Sequence, residues 1–206
     1  MGGIGYYLLS GRMATLDQER GQLLVETPTQ GPGGEYLRRF RLPLGPDAVG
    51  YLHANWMRDG FVLVRGELYP ARDTLEMRAA EVSLVRHAPN PSLNRAFARV
   101  FIQERVADTV YLAGREPESQ ERFPVESPAP LVPGRSYLLE GSLSPRFYER
   151  TGLFQVRLRI AHAHEVLASI SLDGGEILTP PGAWDGLGFA EGEAGNVWNA
   201  LRKKLG

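Results

Sequence analysis

The stretch Phe61 to Val85, FVLVRGELYPARDTLEMRAAEVSLV, alternates apolar and polar positions with a period of two. Val62, Val64, Gly66 and Leu68 fall on one face, and Phe61, Leu63, Arg65, Glu67 and Tyr69 on the other. Successive side chains of a strand point to opposite faces, so the pattern predicts a half-buried β-strand. Pro70-Ala71-Arg72-Asp73 supplies turn chemistry and a second strand follows, which makes a hairpin. The chain then repeats itself. Ser136–Pro145 matches Phe61–Pro70 position by position, with Gly141 for Gly66, Leu143 for Leu68 and Pro145 for Pro70. The inward set becomes Tyr137, Leu139, Gly141 and Leu143. A repeat at this distance predicts two copies of one small β unit.

The same periodicities place the other elements. Tyr6 to Met13, Gln22 to Glu26 and Tyr36 to Leu42 read as three strands. Ala14–Gly21 and the Pro/Gly-rich Thr27–Gly34 read as loops between them. Gly45-Pro46-Asp47 is a helix start, and Val49, Leu52, His53 and Trp56 follow at helical spacing, which predicts a helix over Asp47–Met57. Arg58-Asp59-Gly60 ends it, and the first hairpin comes next. His87–Ser92 reads as a linker. Strands are expected over Arg95–Arg105, Asp108–Ala113 and Arg122–Val125, with Ala98, Val100 and Ile102 inward on the first. SPAPLVPG, 127–134, stands where the first half has its helix and is too rich in Pro to form one. The second hairpin runs from Ser136 to Glu165, with a longer turn over Arg146–Gly152. VLASISL could add an edge strand, and Ala194, Val197, Trp198, Leu201 and Leu205 predict a terminal amphipathic helix with a basic C-terminal end. Residues 1–88 and 93–172 are thus two like units, and 173–206 a Gly/Pro-rich tail.

Composition narrows the function classes. The 206 residues are 43% hydrophobic and 23% charged, an ordinary globular balance. Net charge is −1, so there is no global basic field, and any nucleic-acid contact must be a local stripe. Lysine occurs only at 203 and 204; the other basic residues are Arg, the better side chain for phosphate forks and base stacking. The chain has no Cys, which excludes disulfides, thiolate metal sites and Cys nucleophiles. That absence suits a cytoplasmic protein. The N-terminus lacks the basic start and apolar core of a signal peptide, and no run has the length of a membrane-spanning helix.

Five strands with a helix between the third and fourth is the order of the OB-fold, so the expected class is mainly β, two tandem OB-like five-stranded barrels with a short C-terminal helix. In detail the first half resembles the bacterial single-stranded-DNA-binding protein family. The residues carrying the resemblance are YLRRFRL, the helix to Trp56, and RDGFVLVRGELYPARDTLEMRAAEVSLV. The second half resembles it more weakly, through GRSYLLEGSLSPR and LFQVRLRIAHAHEV. Together these cover residues 4 to 166. The chain departs from that family in ending NALRKKLG, basic where the family has an acidic tail that recruits partners, and in lacking a helix in its second half. The resemblance implies a non-enzymatic protein that binds single-stranded DNA in replication, recombination or repair. It also implies a homodimer, giving four OB units.

Binding a single strand without sequence preference requires cations that track phosphates and flat side chains that accept bases. On the strand faces Arg39 alternates with Arg41, and Arg65 with Tyr69; Arg72 sits at the turn and Arg78 on the following strand. In the second half Arg99 shares a face with Phe101, and Arg157 and Arg159 face away from the core set Phe154, Val156, Leu158 and Ile160. Arg146, Phe147, Tyr148 and Arg150 crowd the hairpin tip, the densest basic–aromatic cluster of the chain. The plainer reading of each arginine is a solvated side chain paired with a neighbouring Glu such as Glu67, Glu76 or Glu140. Trp56 reads as core. His162 and His164 share a face, but nothing near them in sequence completes a metal ligand set, and no metal, cofactor or small-molecule substrate is expected. No nucleophile elbow, phosphate loop or dinucleotide motif is present. The competing class is a protein-interaction or structural subunit that uses the same domains as a scaffold. An enzyme with a site assembled from scattered residues is a third.

Overall fold

A computed structural model describes residues 3–56, 60–86, 92–149 and 153–167, together with the backbone of two short strands farther on. The first half folds as β1 (Gly5–Asp17), β2 (Gln22–Gly31), β3 (Gly34–Pro43), α1 (Pro46–Ala54), β4 (Phe61–Ala71) and β5 (Thr74–Val85). The second half folds as β6 (Asn94–Ala107), β7 (Val110–Gly114), β8 (Phe123–Glu126), β9 (Ser136–Tyr148) and β10 (Leu153–Glu165). The protein is mainly β. In the second half the ladders run β6-β7-β8-β10-β9 and return to β6, with β8 and β10 parallel, which closes a five-stranded barrel. The first half follows the same order, β3-β2-β1-β4-β5, with β3 against β5 but without a ladder between them. This is the OB-fold order in both halves.

The duplicated hairpins agree in three dimensions. Gly66 lies opposite Ala79, and the register slips by one residue before Arg65 meets Glu81. Gly141 lies opposite Ile160, and the register slips at the same place before Glu140 meets His162. Ala80 and Ala161 are therefore the same bulge. Both glycines are required by close approach. A Cβ on Gly66 would lie 2.2 Å from the Arg78 carbonyl oxygen, and one on Gly141 2.0 Å from that of Arg159.

The halves join through their first strands. Gly5–Leu9 of β1 pairs antiparallel with Asn94–Ala98 of β6, giving a continuous six-stranded face β5-β4-β1-β6-β9-β10. Tyr7 pairs with Ala96, and these two are the residues opposite Gly66 and Gly141 in their own halves. A local two-fold axis thus passes between Tyr7 and Ala96. The Tyr7 ring lies on Gly66, where an added Cβ would meet it at 2.6 Å. The first hairpin tip makes a second junction. Asp73 donates its N–H to the Arg122 carbonyl at 2.8 Å, Val156 donates its N–H to Thr74 Oγ1 at 2.8 Å, and the Gln155 amide donates to the Asp73 carbonyl. One contiguous apolar cluster, including Tyr7, Phe40, Val64, Leu139 and Phe123, fills the interior.

Several boundaries differ from the sequence reading. β1 continues through Ala14 to Asp17, and Thr27–Gly34 is the far end of the β2–β3 hairpin, paired as far as Gly31 and Gly34. Buried Thr27 donates its hydroxyl to the Ser10 carbonyl at 2.8 Å and anchors that extension. Pro28 is tolerated because it lies beyond Glu26, the last β2 residue in the ladder with β1, so one edge of the strand there is free of that pairing. α1 stops at Ala54, because Asn55 leaves helical geometry at φ −109° and ψ 19°, Trp56 donates its N–H back to the His53 carbonyl, and the Asn55 side-chain amide caps the Tyr51 carbonyl at 2.8 Å. Ser169–Ile170 (β11) pairs with Ile177–Leu178 (β12) as a separate two-stranded ladder, not as an edge of the main sheet. Met57–Asp59, His87–Pro91 and the terminal helix lie outside the described residues.

Candidate nucleic-acid interface

β3 ends its alternation with Arg39 and Arg41 pointing outward and Phe40 and Leu42 buried. The second hairpin is longer than the first by the pairs Phe147–Phe154 and Tyr148–Leu153, since Arg146–Gln155 matches Ala71–Thr74, and this extension carries it past its own barrel toward β3. Between the two runs a groove of about 780 Å³. Arg38, Arg39, Arg41, Arg146 and Arg159 line it, with Tyr36, Phe147 and Phe154; no carboxylate is among its described lining residues. Phe147 is 53% exposed, and the Arg41 guanidinium lies 5.7 Å from its ring centre and 5.6 Å from that of Phe154. A cation against two ring faces is a platform that could take a base and a phosphate together.

Two carboxylates sit behind this surface. Glu126 holds three guanidiniums, Arg146 at 2.9 Å, Arg157 at 3.1 Å and Arg159 at 3.5 Å. Arg157 also donates to the Tyr148 hydroxyl at 2.8 Å, which fixes that ring at the hairpin tip. Glu26 is buried between Arg12 at 2.7 Å and Arg39 at 3.1 Å. The Arg12 hydrogen bond, with a smaller one from Arg39, holds its carboxyl below the ordinary range against the opposing effect of burial. One acid to three bases, and one to two, leaves the groove positive although the chain as a whole carries −1.

The structure divides the expected contact residues among different places. Arg39, Arg41, Arg146, Phe147 and Arg159 converge on the groove, and Tyr148 and Arg157 support its hairpin wall. Arg65, Tyr69, Arg78 and Arg99 lie instead on the outer face of the six-stranded sheet. There Arg65 pairs with Glu81 at 3.2 Å, and Arg78 pairs with Glu76 at 3.1 Å while lying 4.0 Å from the Tyr69 ring centre. The Tyr69 hydroxyl donates to Glu67, which pushes that phenol up. Arg72 extends from the first hairpin tip beside Asp73. Phe101 is 7% exposed and belongs to the interior, a correction to its reading as a contact residue. Its alternation with Arg99 breaks where β6 bends between its ladders with β9 and β7. Arg150 lies outside the described residues. His162 and His164 stand opposite Glu140 and Leu138, and no group of three metal-ligating side chains occurs among the described residues.

Sequence reasoning passed over Arg38, Tyr36, Glu26 and Glu126, and placed Phe154 only in the core. Arg38 left a readable signal, because it stands in the inward register of β3 with Phe40 and Leu42. Trp56, read as core, is 38% exposed and lines an adjoining pocket of about 420 Å³ that shares Leu24 and Arg39 with the groove.

Two crystal structures of the single-stranded DNA binding protein from Thermus aquaticus match this arrangement. A deletion mutant with one substitution superposes with a TM-score of 0.58 at 15% identity, over 84% of this chain and 98% of that one. The wild-type protein gives 0.51 at 15% identity, over 85% and 98%. The chain has their fold. No family model matches it, and no curated protein matches it in sequence. At 15% identity the likeness concerns the course of the backbone, so the chemistry of the groove must be argued from this chain's own residues. No helix among the described residues is long and apolar enough to cross a membrane.

Proposed function

We propose that the protein binds single-stranded DNA without strong sequence preference, in the groove between β3 and the β9–β10 hairpin, as a non-enzymatic cytoplasmic factor of replication, recombination or repair. The observation that carries the reading is the groove itself, with five arginines and three aromatic rings along one channel and no acid in its described lining. Stacking accepts any base and guanidiniums accept any phosphate, so this surface would discriminate strandedness rather than sequence. A duplex presents its bases edge-on and could not place them on Phe147 or Tyr36. The OB-like order of both halves, and the single-stranded-DNA-binding proteins that share it, support the same choice. The units of the duplication are taken as 1–88 and 93–172, and because the groove draws on both, each chain would have one composite channel.

Labelled oligo-dT and its duplex, titrated at several salt concentrations, test this. The single strand should bind more tightly, with affinity falling linearly in log salt. No binding at low salt would remove the reading. A homodimer is part of the proposal, supported by the outer face of the six-stranded sheet, where Tyr6 is 51%, Leu138 46% and Leu63 38% exposed. Light scattering at micromolar concentration checks it, and a clean monomer would refute it.

A further inference from the structure

Arg38 is the one strongly buried arginine of the described residues, 8% exposed. Arginine is rarely buried without a charged partner. Here no carboxylate pairs with it among the described residues, and its acceptors are neutral. Nη1 donates to the Leu143 carbonyl at 3.2 Å, and Nε and Nη2 donate to the Tyr36 hydroxyl at 3.3 and 3.0 Å. A guanidinium has five N–H donors, so each terminal nitrogen keeps one N–H without an acceptor.

The placement is held from both halves. Leu143 O also accepts from Asn94 Nδ2 at 2.9 Å, and Leu143 N donates to Asn94 Oδ1 at 2.9 Å. Arg38 thus ties β3 to β6 and β9 through neutral groups that aim it without discharging it. It also borders two cavities, the groove and an adjoining one of about 560 Å³ lined by Thr29, Gln30, Glu35, Asn94 and Ser142 among others. Glu35 lies on the second cavity and makes no ion pair with Arg38. A fixed cation that lacks a carboxylate partner and borders two open cavities is a preformed anion seat.

We propose that Arg38 seats a phosphate-type anion where the two cavities meet, filled in the complex by one phosphodiester of the strand. The assignment to a strand rests on the function proposed above; the anion seat does not. Binding there would draw the halves together, because the same guanidinium bridges them.

The test uses the full chain, wild type, Arg38→Met and Arg38→Lys. Melting is followed in sodium sulfate against sodium chloride at equal ionic strength. Sulfate raises the melting temperature of folded proteins generally, so Arg38→Met should keep only that general rise, the wild type should gain more, and Arg38→Lys should fall between them. Oligo-dT affinity is then measured against salt. One lost phosphate contact should flatten the slope of log K against log salt by about 0.7 in Arg38→Met. A residue that serves only packing would shift the melting temperature equally in both salts and leave the slope unchanged, and that result overturns the proposal. A sulfate effect with an unchanged slope overturns the phosphodiester assignment and makes the seat one for free anions. If no oligonucleotide binds any variant while the wild type still gains more in sulfate than Arg38→Met, the single-strand reading falls and the anion seat stands.

Discussion

Replacing Glu126 with Gln should move stability and affinity in opposite directions. The carboxylate is 17% exposed and touches three guanidiniums, of which Arg157 is 18% exposed and Arg146 and Arg159 about half exposed. The two exposed pairs are screened and contribute roughly 0.2–1 kcal/mol each. The more buried Arg157 contact, a hydrogen bond to a charged group, contributes roughly 1.5–3 kcal/mol. Glutamine keeps one acceptor oxygen and is less costly to bury, so the net loss should be about 1–3 kcal/mol, a fall of roughly 3–10 °C in Tm for a chain of this size. Binding should respond the other way. A phosphate held on the far side of Arg146 or Arg159 would lie about 7 Å from Glu126, and removing that repulsion at an effective dielectric of about 40–80 is worth roughly 0.6–1.2 kcal/mol. Oligo-dT should therefore bind about 3- to 8-fold more tightly at low salt, with the gain shrinking as salt rises. Thermal melting and fluorescence anisotropy on the same samples measure both. A variant that melts lower and binds equally or more weakly would show that these arginines serve the fold and that the strand does not pass over them.

Phe147→Ala should weaken oligo-dT binding by about 1–3 kcal/mol, in line with one lost stacked base, while its half-exposed ring costs only a few degrees in melting; an unchanged titration would refute the platform. Tyr7→Phe should stabilise the protein by about 1 kcal/mol, because the Tyr7 hydroxyl is buried with no hydrogen-bond partner. Burial pushes that phenol above its ordinary value of 10.0, so its contribution is complete below pH 10 and is lost as pH rises further; the variant should melt with a shallower alkaline decline. Glu26, held low by Arg12 and Arg39, contributes stability that is present above its ordinary value of 4.5 and is lost as pH falls through its lowered folded value. Glu26→Gln should therefore melt lower at pH 7 and approach the wild type in acid, whereas a constant difference across that range would contradict the pairing.

Period-two alternation made the hairpins legible, and the shared Gly66 and Gly141 made their repetition legible, whereas the matching bulges at Ala80 and Ala161 appear only in the strand register. Alternation assigns a side chain to one of two faces of its own strand. It does not say which distant strand will stand opposite. Arg65 and Arg41 are both outward by that rule, yet one ends on the six-stranded face beside Glu81 and the other in the groove beneath Phe147. The difference arises because β3 curls away from the six-stranded face, and only long-range pairing decides that. Arg38 was hidden for the opposite reason. Its register is a core register, and although the Tyr36 hydroxyl is a neighbour on its own strand, the Leu143 carbonyl becomes an acceptor only after the halves meet. The Pro/Gly content of Thr27–Gly34 argued for a loop, and the ladder with β3 overrode it.

The unequal pair at the local two-fold axis has a consequence for assembly. Two copies of the first half joined in the same way would set Tyr7 against Tyr7, two rings side by side where the native pair has one ring and one methyl group. Two copies of the second would set Ala96 against Ala96 and leave a void. The mixed pairing sets one ring beside one methyl group at the axis, so the two halves meet there as unlike partners. The free edge that β1 would otherwise offer to other molecules is thereby reserved for one partner strand, already tethered a few residues beyond β5.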